Sequence, residues 1–231
     1  AVGEKGYRQI DINLGCPFPM IAGKHKGAGM LLYPAQVAEV LAPIAEYPEI
    51  QFSLKMRLGW ENASECMVLV ELLNTLRLSR IALHARTGKQ QYKGHPDLEA
   101  FQGFYELCQH PLYYNGDIES LSDIRQILTR FPLLKGVFIG RGLLSSPLLA
   151  KEFKGNETFL PEQRMSIYFA FHEELFSAYS QVLQGETQLL VKMKTLWEYF
   201  LPETDRKLLK RIKKSTRLQQ YTESVKAIFT S

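Results

Sequence analysis

Between residues 7 and 153 the chain repeats one pattern, a strand-length apolar run followed by a stretch of helical spacing. The runs are YRQIDIN, ending at Asn13, QFSLKMR at Arg57, RIALHAR at Arg86, PLYYN at Asn115 and GVFIG at Gly140. Between them lie apolar residues at helical spacing, such as Val37-Leu41-Ile44 and Val68-Leu72-Leu76. Pro34 suits the first turn of a helix, and Ser120 and Ser122 offer N-cap oxygens ahead of Ile124, Ile127 and Leu128. Alternating strands and helices predict an α/β fold, a parallel sheet with right-handed crossovers.

Residues two apart on a strand share a face. The first four runs finish on polar pairs at that spacing: Asp11-x-Asn13, Lys55-x-Arg57, His84-x-Arg86 and Asn115-x-Asp117. So many polar groups at the C-terminal ends of buried strands would be costly without something to bind. That edge is where α/β sheets and barrels hold ligands. NGD (Asn115, Gly116, Asp117) and GRG (Gly140, Arg141, Gly142) add glycines that let backbone N–H groups approach a phosphate ahead of a helix.

In a (β/α)₈ barrel the phosphate site is built from the loops after strands 7 and 8. Placing NGD and GRG there makes RQIDIN strand 4. The expectation is therefore a TIM barrel of which strands 4 to 8 are present, residues 1–153, in a chain truncated at its N-terminus. Five units take about 145 residues, where a whole barrel takes about 250. After Pro161 the strand signal stops. Three helical faces follow: Ile167-Phe171-Leu175-Ala178-Val182, Leu189-Met193-Leu196-Trp197-Phe200 and Leu218-Tyr221-Val225-Ile228. They predict an all-α bundle over residues 161–231, joined through FKGNETFLP.

The net charge of +4 in 231 residues is unevenly spread. Lys192 to Arg217 holds nine Lys or Arg against three Asp or Glu, an excess of six that leaves the rest of the chain at −2. Such a segment is either a polyanion-binding surface or a solvated helix face. Three cysteines, at 16, 66 and 108, have no metal-site or disulfide spacing and suit a reducing cytoplasm. No apolar run approaches the roughly 20 residues that cross a bilayer, and the N-terminus has no signal-peptide pattern, so no membrane role is expected. Cys16 stands apart from the other two, between Gly15 and Pro17 at a strand tip. Cys66 and Cys108 fall in helical segments and read as small buried hydrophobes.

DINLGCP, LKMRLGW, HARTGKQQY, NGDI and IGRG, in this order and spacing, resemble the tRNA-dihydrouridine synthases. The likeness covers Tyr7 to about Phe153 closely and extends loosely into the bundle through LWEYF, Leu196 to Phe200. It implies a barrel enzyme that carries FMN, takes electrons from NADPH and reduces the C5=C6 bond of a tRNA uridine. It also implies a C-terminal helical domain that binds tRNA, a cytoplasmic setting and a monomer when full length.

The resemblance makes Cys16 the proton donor to C5, opposite a hydride delivered to C6. A thiol is still mostly protonated at neutral pH and can serve. It sets Lys55 beside the flavin, stabilising charge in the reduced ring. His84 would contact the flavin or its phosphate, and Asn115, Gly116, Asp117, Gly140 and Arg141 would cradle that phosphate. Asn13, Arg57 and Arg86 would face the uridine or its phosphates. KHKGAG, Lys24 to Gly29, reads as a mobile basic loop or a plain solvated one. Lys207, Lys210, Arg211, Lys213 and Lys214 would grip the tRNA backbone, and the target base would have to flip out of its stack. Two other readings fit the same residues: an FMN barrel reducing a small pyrimidine or other small molecule, and a truncated, inactive copy that only binds RNA.

Overall fold

The computed structural model describes residues 6–230. The chain forms two compact units. One holds the chain up to Ile118 together with Ser122–Ile139; the other holds Glu119–Leu121 and the chain from Gly140 onward.

The first unit is built on five strands: β1 (Gln9–Leu14), β2 (Gln51–Gly59), β3 (Leu78–Thr87), β4 (Leu112–Asn115) and β5 (Gly136–Phe138). They form one sheet in the order β1-β2-β3-β4-β5, and every neighbouring pair is parallel. Four helical crossovers connect them. β1 leads through α1 (Pro19–Ala22), a 3₁₀ segment at Gly27–Leu32, α2 (Pro34–Leu41) and a second 3₁₀ turn at Ala42–Ala45. The later crossovers use α3 (Glu65–Thr75), α4 (Leu98–Leu107) and α5 (Leu121–Arg130).

Alternation along each strand separates two chemistries. Leu14, Phe52, Leu54, Met56, Leu58, Ile81, Leu83, Ala85, Leu112 and Tyr114 are buried and point to one side. The helices supply the other half of that core, with Val37, Leu41, Leu69, Leu73, Phe101, Phe104 and Ile124 all buried. Phe101 of α4 meets Tyr114 of β4 edge-on at 5.0 Å. Each fully buried side chain of this kind contributes about 1.5–3 kcal/mol. The opposite side of the sheet carries the polar residues.

The inward face of α3 differs from the one expected. Val68 is 66% exposed, while Cys66, Leu69, Val70 and Leu73 are buried. Both stripes have helical spacing, so the pattern alone allowed either. The choice is made at the first turn: the Glu65 carboxylate accepts the backbone N–H groups of Trp60 (2.7 Å), Glu61 (3.1 Å) and Asn62 (2.8 Å). That tether fixes the rotation of the helix where it leaves the loop.

The second unit is helical: α6 (Arg141–Ser145), α7 (Leu149–Gly155), α8 (Pro161–Val182), α9 (Gly185–Leu196), α10 (Arg206–Lys214) and α11 (Leu218–Phe229). Its core gathers Tyr168, Leu189, Leu190, Met193, Trp197, Phe200, Ile212, Tyr221, Val225 and Ile228. Among the described residues, no helix is long and apolar enough to cross a membrane.

A chain of hydrogen bonds runs through this core. Trp197 Nε1 donates to the Tyr221 hydroxyl at 3.0 Å. An indole can only donate, so the Tyr221 proton goes to His172 Nε2, 2.7 Å away. His172 then carries its own hydrogen on Nδ1, which faces the Glu173 carboxylate at 3.1 Å. Burial pushes the His172 pKa down, with Glu173 opposing, which keeps the ring neutral. Replacing Tyr221→Phe leaves Trp197 Nε1 without its acceptor and His172 Nε2 without its donor. The expected loss is about 1–3 kcal/mol, read as a lower urea midpoint by tryptophan fluorescence.

Candidate active site

The strand register shows how the polar pairs meet. Asn13 lies beside Lys55, which lies beside Ala82 and then Tyr113. Arg57, His84, Asn115 and Phe138 form the next row. All the pairs therefore share one face, but they are staggered. The β1 and β2 pairs each sit one pleat repeat lower than the next, while those of β3 and β4 begin level. This shear brings residues of different strands together rather than lining up equivalent ones.

Ala82 is small, and Lys55 reaches past it. Its Nζ donates to Asn115 Oδ1 at 2.9 Å, and Asn115 Nδ2 donates to the Phe138 carbonyl at 2.8 Å. Burial and the neighbouring Arg57 push the Lys55 pKa down, with Asp11 opposing. His84 is buried beside three cations. Burial first, then Arg57, Lys55 and Arg86, pushes its pKa to about 3, so the imidazole is neutral.

The two arginines are fully buried and committed to the protein. Arg57 donates to the Gly15 carbonyl at 3.1 Å and, from one nitrogen, to the Thr87 and Gln91 carbonyls at 2.8 Å each. Arg86 holds Asp117 in a two-pronged ion pair, at 2.8 and 2.5 Å, and donates to the Gly94 carbonyl at 2.7 Å. Its pKa is raised by the Asp117 hydrogen bonds. Among the described residues, Arg86 Nε is a buried nitrogen without a hydrogen-bond partner, so part of the Arg86 guanidinium stays uncommitted. Asp117 likewise turns its carboxylate to Arg86.

Cys16 is half-buried at the end of β1. The peptide units around it are held on both sides: Gly15 N–H donates to Asn13 Oδ1 at 2.9 Å, and Ala28 N–H donates to the Cys16 carbonyl at 3.0 Å. Gly27 must be glycine, because its φ is +57° and a Cβ would stand 2.7 Å from the Cys16 carbonyl oxygen. Gly27, Ala28 and Gly29 are buried, Gly27 against Cys16 and Gly29 against Ala22, so this stretch of KHKGAG is packed rather than a free loop. Burial raises the other two thiols, Cys66 to about 12, and keeps both protonated.

Tyr92 is the residue that sequence reasoning passed over. It is 57% exposed, its ring lies 5.5 Å from the Arg57 guanidinium carbon, and His84 is 6.3 Å away. Tyr113 and Phe138, in edge contact at 5.5 Å, also face the polar side. Tyr92 belongs to HARTGKQQY, but a loop aromatic gives no spacing signal that would place it over another strand. Gly116 is half-buried; a Cβ there would strike the Tyr114 hydroxyl.

The second unit carries the remaining predicted residues. Gly140, where a Cβ would meet only open space, precedes α6, whose first residue is Arg141. The basic segment forms α10, capped by Asp205, which accepts Lys207 N–H at 2.8 Å and Leu208 N–H at 3.1 Å. Lys207, Lys210, Arg211 and Lys214 line a groove of about 520 Å³ with Ser215, Gln220, Glu223 and Ser224. Lys213 is exposed elsewhere on the helix.

The depressed His84 pKa makes a pH prediction. Below the ordinary value of 6.5 the unfolded chain binds a proton that the folded one refuses. Stability present at pH 7 should fall as pH drops from 6.5 toward 3, by at most about 1.4 kcal/mol per pH unit from this group. Urea midpoints measured at pH 7, 6, 5 and 4 should show that slope, shallower in His84→Gln.

The dihydrouridine synthase (Dus) family profile matches residues 1–230. Curated relatives include the tRNA-dihydrouridine synthase B of Vibrio vulnificus, 28% identical over 163 residues, 69% of this chain and 50% of the relative. The same enzyme of Vibrio cholerae is 29% identical over 167 residues, 71% of this chain and 52% of the relative. A probable tRNA-dihydrouridine synthase of Rhizobium leguminosarum is 32% identical over 145 residues, 62% of this chain and 45% of the relative. The chain spans about half the length of these curated relatives. Its match to the family nonetheless runs almost end to end, and this protein belongs to the dihydrouridine synthase family.

Proposed function

We propose that the protein takes part in reducing a tRNA uridine to dihydrouridine, with FMN as cofactor and NADPH as the source of electrons. The observation that carries this reading is the single polar sheet face on which Lys55, His84 and Asn115 converge beside the Cys16 loop. Five parallel strands in sequential order, without the reversal of a doubly wound sheet, suit an arc of a (β/α)₈ barrel, strands 4 to 8. On this reading residues 1–153 are the flavin part and 161–231 the tRNA-binding bundle. NADPH is named from the family's practice alone, as is the cytoplasmic setting in which tRNA is modified.

The residues fit a phosphorylated, electron-rich ring system. Arg86 Nε is a buried donor of a charged group without an acceptor among the described residues. Lys55 is a half-buried cation whose burial strengthens its pull on nearby negative charge. FMN bound here would supply the hydride for C6 of the uracil. Lys55 would stabilise the negative charge left on the reduced ring. His84, being neutral, would serve as a hydrogen-bond partner and not as a second cation. Asn115 and Gly116 would present polar and backbone groups to the phosphate, with Asp117 supporting them through Arg86. Gly140 and Arg141 are assigned to the phosphate from their sequence alone. Cys16 would protonate C5, and Asn13 would face the uracil edge.

The flipped base has to be presented by an RNA held elsewhere, and the α10 groove supplies four cations at i, i+3, i+4 and i+7. Such contacts position a backbone without reading its sequence.

Two measurements test the proposal. In the full-length holoenzyme, Cys16→Ala should lower dihydrouridine formation about 10²–10⁴-fold with flavin content and flavin reduction by NADPH unchanged. Free uracil reduced as readily as tRNA would overturn the substrate assignment. Neutralising Lys207, Lys210, Arg211 and Lys214 should flatten the salt dependence of tRNA binding by about 0.7–0.9 per lost phosphate contact. Lys213→Gln should leave the slope as it was.

A further inference from the structure

The segment that holds Cys16 is itself propped from two other strand ends. Ala28, fully buried, donates its N–H to the Cys16 carbonyl at 3.0 Å. Gly27 lies so close that a Cβ on it would stand 3.0 Å from the Cys16 Cβ. On its other side this segment meets Gly88, the residue after β3: a Cβ on Gly88 would stand 3.1 Å from the Ala28 Cβ. The same point lies 2.1 Å from Trp60 Cε3 and 2.7 Å from Trp60 Cζ3. Trp60 is the residue after β2, so three strand-end loops meet at one spot. The φ of Gly88 is not positive, so space and not backbone conformation calls for glycine there.

The backbone of Trp60 is fixed where it leaves the strand. Its N–H donates to the Glu65 carboxylate at 2.7 Å, and its carbonyl accepts the Lys89 N–H at 2.9 Å. Gly88 N–H donates to the Gly59 carbonyl at 2.7 Å, which carries the pairing of β2 and β3 past the end of the sheet. A large, stiff ring on a fixed backbone fills the gap that Gly88 leaves. Closely packed groups pass a displacement on to their neighbours instead of absorbing it.

Resting on the function proposed above, we infer that Trp60 is a positioning residue: its ring, seated on Gly88, props the Gly27–Gly29 segment and through it sets the Cys16 thiol. Misplacing a reacting group by about 1 Å can cost a hundredfold in rate. A change at Trp60 or Gly88 should therefore be felt at Cys16, although neither residue adjoins it in sequence.

The test uses the full-length holoenzyme with Gly88→Ala, Trp60→Leu and the two combined. Gly88→Ala puts a methyl group into the ring, and single-turnover dihydrouridine formation should fall about 100-fold. Trp60→Leu removes the prop and should cost about tenfold. NADPH-driven flavin reduction should be unchanged in both, and hydrogen exchange should quicken at residues 16–29. Because Leu clears the space that the new methyl group needs, the double variant should be no worse than Trp60→Leu alone, a non-additivity expected of groups in contact. Losses that multiply in the double variant would overturn the inference. So would a loss confined to tRNA affinity with exchange at residues 16–29 as in the wild type, which would make Trp60 an RNA contact.

Should Gly88→Ala fail to fold, Trp60→Phe serves beside Trp60→Leu. Phe keeps a ring against Gly88 and should retain most of the rate that Leu loses; equal losses would refute the prop. The exchange readout requires no turnover. Quickened exchange at residues 16–29 in Trp60→Leu, in a protein whose wild type makes no dihydrouridine, would refute the function and leave the prop standing.

Discussion

Two charged side chains buried at the end of a sheet need acceptors, and the arrangement of the strand-end loops follows from how Arg57 and Arg86 find them. A guanidinium removed from water without partners is costly enough to unfold a domain of ordinary stability. Arg57 takes its acceptors from backbone carbonyls on two loops; Arg86 takes Asp117 and one carbonyl from a third position. Loops that would otherwise be free are thereby held against the sheet. The segment from Thr87 to Gly94 is gripped by both arginines, which is why a non-glycine residue keeps a positive φ in it.

The same pair sets the electrostatics of the polar face. With Lys55 they place three positive groups around one imidazole, and His84 answers by staying neutral. Lys55 shares the burden through a lowered pKa of its own. A face of this kind favours a ligand carrying negative charge or acceptor oxygens, and repels cations. Arg86 Nε, a buried donor without a partner among the described residues, points to the same preference.

The helical unit balances its charges differently. Tyr221, His172 and Trp197 form a neutral hydrogen-bonded chain inside the core, while the cations of α10 stay in solvent. Ile212 anchors that helix in the core, with Leu208 and Leu209 half-buried beside it. The basic side chains are left to line a groove shared with α11. Of the five basic residues singled out in the sequence, only Lys213 lies off that groove, because it falls between the i, i+3, i+4, i+7 positions.

Much of this was legible in the residues alone. Runs such as QFSLKMR and RIALHAR announce parallel strands because burial on the helix side demands an apolar residue at every second position. Polar residues at the intervening positions then share the other face by geometry. What local pattern could not decide is which of those polar residues touch. The stagger between strands is a property of the assembled sheet, so it took the register to place Arg57 beside His84 and to let Lys55 reach Asn115. Val68 against Leu69 on α3, and the burial of Gly27 against Cys16, were likewise decided by particular contacts that a periodic pattern does not carry. Sequence determines the period and chemistry of each element, since these depend on adjacent residues. Only tertiary structure chooses the partners of a buried charge, since its acceptors come from wherever the packed chain brings a carbonyl within reach.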